Sequence, residues 1–319
     1  MRKLFLALAA ASAIVTPVAA SAETVTVAVT AIVEHPALDA TRDGVKEALA
    51  EAGYTVGDNL NFVYESAQGN PATATQIARK FVGEGPTVIV PISTPSAQAV
   101  VAATKDIPIV FTAVTDPVGA QLVDSMDKPG ANVTGISDFS PLADHLALIR
   151  EITPNTKKLG VIYNPGEANA VSLVEALKKM APDAGFEIVE SNATKTSEVQ
   201  GAARALVGKA DAIYVPTDNT IVSALEAAVK VATENKLPLF SGDTDSVTRG
   251  AIAAVGFNYF DIGKQTGAVV AAVLKGAAPA DIPVKVAAGT DLVVNPKAAE
   301  AMGVTIPEAV IKRATKVVE

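Results

Sequence analysis

The chain writes one local pattern twice. Residues 90–104 read "VPISTPSAQAVVAAT" and residues 215–229 read "VPTDNTIVSALEAAV". In each, an apolar run ends in Val-Pro, a few small polar residues follow, and helical spacing begins. Upstream the copies extend without a gap. "IARKFVGEGPTVIVP" (77–91) lies over "AARALVGKADAIYVP" (202–216) with 6 of 15 positions identical. "EAGY" (51–54) and "DAGF" (183–186) close equivalent helices. A repeat this long, made of whole strand–helix units, points to duplication of an entire lobe.

The surrounding sequence alternates in the same way. Strand-like runs such as "TVTVAVTAIV" (24–33), "TVIVPI" (87–92) and "IPIVFTAV" (107–114) alternate with helical patterns at 37–53, 71–85 and 94–104. The cycle restarts with a helix at 141–152. Strands follow at 158–164, 186–191, 211–216 and 237–242, with helices at 168–185, 196–208 and 217–236. The strands are nearly continuous Val/Ile runs, as in parallel sheets buried on both faces. The predicted fold class is α/β, with two doubly wound parallel-sheet lobes. A chain of 319 residues has room for both.

Ligands of such sheets lie beyond the carboxyl ends of the strands. Polar residues gather at those ends: Glu34 and His35; Ser93 and Thr94; Thr115 and Asp116; Asn164, Glu167 and Asn169; Thr217, Asp218, Asn219 and Thr220; Asp243, Thr244 and Asp245. One such cluster alone reads as a helix N-cap. Clusters at equivalent places in two lobes read as facing walls of one cleft. Free N–H groups at helix starts suit a carboxylate, and Asp suits an ammonium. The mixture therefore fits a zwitterion, with its carboxylate near Ser93, Thr94 and Thr115. Its ammonium would meet Asp116, or Asp218 and Asp245, and Phe139, Tyr163 or Phe257 would neighbour an aromatic side chain. Asp218→Asn is expected to keep the helix cap, and so the stability, while removing the charge.

Other functions find little support. The net charge is −8 with no basic block, which disfavours nucleic acid. There is no Cys, hence no disulfide, thiolate chemistry or lipid attachment. His35 and His145 lack metal spacing, and His145, inside "ADHLALI", is expected at the surface or a boundary. G-x-S-x-G, P-loop and G-x-G-x-x-G motifs are absent. The expectation is a protein without metal, cofactor or enzymatic activity. The alternative is a periplasmic hydrolase that pairs Asp116 with Asp218 or Asp245 across the cleft.

The first residues carry an export pattern. Arg2 and Lys3 precede the apolar run "LFLALAAASAIV" (4–15), Pro17 and the small-x-small site "ASA" (20–22). This predicts a signal peptide over 1–22, cleaved after Ala22, and a soluble periplasmic protein.

"EHPALDATRDGVKEAL", "ISTPSAQAV", "FTAVTDPVGAQLV", "PGANVTGISD", "LGVIYNPGEANAV", "VPTDNTIVSALEA" and "SGDTDSVTRGAIAAVGFNYFDIGKQTG" together resemble the TrpX-type substrate-binding proteins of ABC importers, as does "LVVNPKAAEAMGVTIP". The resemblance covers almost all of the chain after the signal. It implies a type I periplasmic-binding-protein fold, with lobes joined by three hinge crossings. Lobe 1 would hold residues 23–137 with about 257–280, and lobe 2 residues 138–256 with about 281–319. "NVTGISDFS", "GAIAAVGFNYF" and "PVKVAAGTDLVVNP" would be the crossings. It also implies a monomer that closes on a small ligand, an amino acid with an aromatic lean, and delivers it to a membrane permease. Lipid-anchored relatives carry a Cys after the signal; this chain does not, so tethering is not implied. Effector domains of transcription regulators share the fold, but the export pattern and the missing basic segment argue against that role.

Overall fold

The computed structural model describes residues 24–318; the expected signal peptide lies outside them. The first lobe starts as three strand–helix alternations followed by two strands: β1 (Val25–Ala31), α1 (Pro36–Glu51), β2 (Leu60–Ser66), α2 (Pro71–Glu84), β3 (Val88–Ile92), α3 (Thr94–Ala103), β4 (Ile109–Val114) and then β5 (Val133–Ser137). The second runs α4 (Leu142–Ile152), β6 (Lys158–Tyr163), α5 (Ala168–Met180), β7 (Glu187–Asn192), α6 (Val199–Leu206), β8 (Ala212–Val215), α7 (Asn219–Ser223), α8 (Leu225–Glu234), β9 (Leu239–Ser241), α9 (Asp245–Thr248) and β10 (Ala253–Gly256). The chain returns to the first lobe with α10 (Tyr259–Leu274) and β11 (Lys285–Val286). It ends in the second with β12 (Asp291–Val294), α11 (Pro296–Ala301), α12 (Glu308–Arg313) and β13 (Lys316–Val317).

The first sheet is parallel, in the order β2-β1-β3-β4-β5-β11. The second repeats it as β7-β6-β8-β9, also parallel. The duplication read in sequence is thus a duplication of topology. β10 lies beside β9, with Ile252 N–H donating to Leu239 C=O at 2.8 Å, and pairs antiparallel with β12. Each sheet builds its own core. Phe81, Ile89 and Phe111 anchor the first, and Ile162, Tyr214 and Phe240 the second. Val284 and Ala287 pack in the first core and β11 pairs with β5. The chain therefore stays with the first lobe as far as Ala287, past the position near 280 expected from sequence.

Two local features differ from the sequence reading. The expected single helix over 217–236 breaks at Ala224, whose φ of −123° and ψ of 29° end α7 and start α8. His145 is not at the surface; only 2% of it is exposed. It shares the buried stripe of α4 with Leu142, Leu146, Ile149 and Ile152, at helical spacing. A carbonyl can only accept, so Nε2–H donates to Val255 C=O at 2.5 Å, and Nδ1 accepts from the Tyr214 hydroxyl at 2.7 Å. Burial lowers its pKa to about 4, so the neutral ring these bonds require is the form present at neutral pH.

α1 and α10 pack with their backbones almost touching. A Cβ on Gly263 would lie 2.1 Å from the Thr41 carbonyl oxygen, and one on Gly44 would lie 2.0 Å from that of Phe260. Only glycine permits this approach, which seats the returning helix on the first lobe. Gly263→Ala is expected to cost about 1–3 kcal/mol, since backbone rather than a flexible side chain must move. Urea titration of the purified variant measures that loss, and an unchanged midpoint would mean the two helices separate freely.

Candidate functional site

In a sheet ordered 2-1-3-4, helices leave opposite faces at the boundary of strands 1 and 3, and that crevice receives ligands. Here the boundary lies between β1 and β3 in one lobe and between β6 and β8 in the other. The lobes bring these crevices face to face around a narrow cavity lined from both sides. His35, Ser93 and Thr115 line it from the first lobe, and Asn169, Thr217, Asp218, Asn219 and Asp243 from the second.

The first-lobe wall has unmet hydrogen-bonding capacity. Ser93 precedes α3 with φ of 75°, in the left-handed region that non-glycine residues rarely adopt. Its neighbour across the sheet, Ala113, has φ of 51° where β4 shifts register against β5. Strain of this kind concentrates at functional sites. α3 receives no side-chain cap, whereas the N-terminus of α2 is capped by Asn70 and that of α10 by Asn258. The hydroxyls of Ser93, Thr94 and Ser96 at this helix start are all buried and unpaired. Nδ1 of His35 is likewise buried and unpaired. Burial, with the charge of Arg249 second, lowers the His35 pKa to about 3, so this ring is neutral.

The second-lobe wall is the converse. Its matching helix start, α7, is occupied by the protein's own anions. Asp218 accepts from Ile221 N–H at 2.9 Å with one oxygen and from Asn164 N–H at 2.5 Å with the other. Glu167 accepts from Thr220 N–H at 2.9 Å and its hydroxyl at 2.7 Å. Its other oxygen takes Asn219 N–H at 3.1 Å, the Asn219 side-chain amide at 2.5 Å and that of Asn169 at 3.2 Å. Burial first, and the nearby Glu167 charge second, raise the Asp218 pKa well above the usual carboxylate range. Oδ1 of Asn169 and the hydroxyl of Thr217 remain buried and unpaired.

The crossings and the end of β9 supply the rest. Asp138, on the first, accepts from the Thr115 hydroxyl at 3.1 Å and from the Tyr259 hydroxyl, on the second, at 2.8 Å. Asp243 is held by Ser246 N–H at 2.8 Å and its hydroxyl at 2.6 Å. Burial raises the pKa of both acids, against hydrogen bonds that lower it. Three carboxylates thus surround the cavity, and among the described residues no Lys or Arg lines it.

Several expected residues stand elsewhere. Asp116 spends its oxygens on Gly119 N–H and on the Ser172 hydroxyl, outside the cavity lining. Asp245 is half-buried behind Asp243, with a pKa raised to about 6 by burial and by that neighbour's charge. Neither residue offers the cavity the partner that an acid pair with Asp218 would need. Thr94 is buried next to Ser93 without lining the cavity. Asn164 and Glu167 brace the second wall from behind. Phe139 is exposed, Tyr163 donates its hydroxyl to Glu190 at 2.6 Å, and Phe257 is core. Asp138, Tyr259, Leu38 and Val222 line the cavity and were not singled out in sequence. Asp138 had a legible signal, a lone acid at the carboxyl end of the apolar run "NVTGIS". Tyr259 had none.

The family model described as ABC transporter substrate binding protein matches residues 26–318. The chain belongs to that family. It is a small-ligand binding protein with the type I periplasmic-binding-protein fold. A tyrosine-binding protein of Clostridioides difficile is 44% identical over 84% of this chain and 78% of its own length. The crystal structure of an ABC domain in complex with L-Trp, from Streptococcus pneumonia, is 37% identical with a TM-score of 0.90, covering 93% of this chain and 100% of that one. The ligand-free, open structure of a Clostridium difficile substrate-binding protein with adhesive properties is 41% identical with a TM-score of 0.71, covering 93% and 99%.

The geometry changes the expectation for Asp218→Asn in this family member. Asn can cap Ile221, but its NH2 would then face the Asn164 N–H, donor against donor. Leaving that buried donor unpaired is expected to cost about 1–3 kcal/mol. A lower melting temperature in the ligand-free variant is the outcome to look for. An unchanged one would reduce Asp218 to a cap.

Proposed function

We propose that this protein is the periplasmic receptor of an ABC importer for an aromatic L-amino acid. One contrast carries the reading: α3 starts at the cavity without a side-chain cap, while three carboxylates and no lining cation surround the same space. The helix start and the Ser93 hydroxyl suit the ligand's carboxylate. Asp138, with capacity left on both oxygens, suits its ammonium. Leu38, Val222 and the Tyr259 ring offer apolar surface to a side chain. Relatives named for tyrosine and solved with L-Trp support the aromatic preference.

The lobes are arranged as in a closed receptor. The superposition is better on the L-Trp complex than on the open, ligand-free structure, though identity is similar. Closure around the ligand would present a liganded shape to a membrane permease, with no chemistry performed and with the protein acting as a monomer.

A thermal-shift screen of L-amino acids, followed by calorimetry, tests the reading. L-Trp or L-Tyr at about 100 times its dissociation constant should add about 2.7 kcal/mol of stability. Sugars binding while amino acids do not would overturn it. Asp138→Asn should weaken binding by about 30-fold or more, as loss of one partner of a buried charge pair does.

The pH dependence has a definite sign. Burial raises the Asp138, Asp218 and Asp243 pKa values, so acidification protonates them early. Their charge, and with it ammonium binding, is present above those values and lost as pH falls through them. Affinity should therefore decline as pH falls from neutral into the acid range. Calorimetry across that range, showing a flat or rising affinity, would remove the ammonium from these carboxylates.

A further inference from the structure

We propose that Asp116 and Ser172 form a closure latch, a positioning pair that holds the lobes together outside the ligand cavity and sets how long the ligand stays. Asp116 follows β4 in the first lobe, and Ser172 lies in α5 of the second. The Ser172 hydroxyl donates to Asp116 Oδ2 at 3.0 Å. Among the described residues, it is the one side-chain hydrogen bond joining the lobes away from both the cavity and the crossings.

The acceptor is pre-aimed. Asp116 Oδ1 accepts from Gly119 N–H at 2.8 Å, which locks the carboxylate across its own turn. Position 119 has no side chain, and that is what leaves room for the other oxygen. A Cβ there would lie 2.2 Å from Oδ2, the oxygen that receives Ser172. The Gly119 φ is not in the left-handed region, so the turn does not require glycine for its conformation. Glycine is required here by how closely the Asp116 carboxylate approaches.

A bond that exists only when the lobes meet, and that touches no ligand, adds to closure without adding to recognition. It slows opening, and hence dissociation, for every ligand alike. The lobes here superpose with a TM-score of 0.90 on the L-Trp complex and 0.71 on the open structure, the arrangement in which this bond can form.

The test rests on the proposed ligands only for its probe. Stopped-flow dissociation of L-Trp and L-Tyr is compared in wild type, Ser172→Ala and Gly119→Ala. Both variants should release ligand about 3- to 10-fold faster, with association, the Trp/Tyr preference and the ligand-free melting temperature unchanged. Ser172→Thr, which keeps the hydroxyl, should restore slow release. Wild-type dissociation in both variants overturns the latch, and so does an altered preference. The chain has no native Cys, so spin labels at Glu84→Cys and Lys209→Cys report lobe separation independently. If neither amino acid binds wild type, the functional reading fails separately and the ligand-free distance distribution decides the latch. A smaller closed fraction in the variants supports it; equal fractions, including none in any form, overturn it.

Discussion

The occupied start of α7 is the constraint on which the rest of the site depends. Two equivalent helix starts face each other across the cleft, and each would favour an anion. In the second lobe Glu167 and Asp218 provide that anion, each with both oxygens engaged. In the first, the equivalent place holds unpaired hydroxyls instead. Duplication produced two similar jaws, and filling one with carboxylates made the pair asymmetric. An asymmetric pair can orient a zwitterion; two open helix starts could not.

This arrangement is kept at a cost. Buried carboxylates at Asp138, Asp218 and Asp243 resist ionisation, and left-handed Ser93 and Ala113 are strained. Each lobe has an apolar core of its own against which such local penalties are set. The crossings join the lobes and also contribute Asp138 and Tyr259 to the cavity floor. A ligand touching that floor therefore touches the hinge, which couples occupancy to lobe position.

Much of the fold was legible because parallel βα units have a strong period. The duplicated order of strands and the clusters at strand ends correspond to stretches of continuous Val/Ile and capping residues. Ser93, Asn169, Thr217 and Asn219 line the cavity because they follow strands at the switch point, a position that sequence order predicts. His145 was misplaced because one polar residue within a helical pattern does not say which way its stripe faces. Only the paired donor and acceptor, the Tyr214 hydroxyl and the Val255 carbonyl, lying 69 and 110 residues away, explain its burial.

By itself the sequence determined the alternation, the two lobes and the positions from which polar residues can reach a cleft, because those follow from local periodicity and strand ends. Tertiary structure decided which acids face the cavity. Asp116, Asp218 and Asp245 look alike in sequence, each at the end of an apolar run. One bridges the lobes at Ser172, one caps the start of α7, and one sits behind Asp243. Asp138, never distinguished in sequence, joins Thr115 and Tyr259 at the floor. A carboxylate's role depends on which donors reach its oxygens. Those donors come from segments distant in the chain, so no local pattern encodes them.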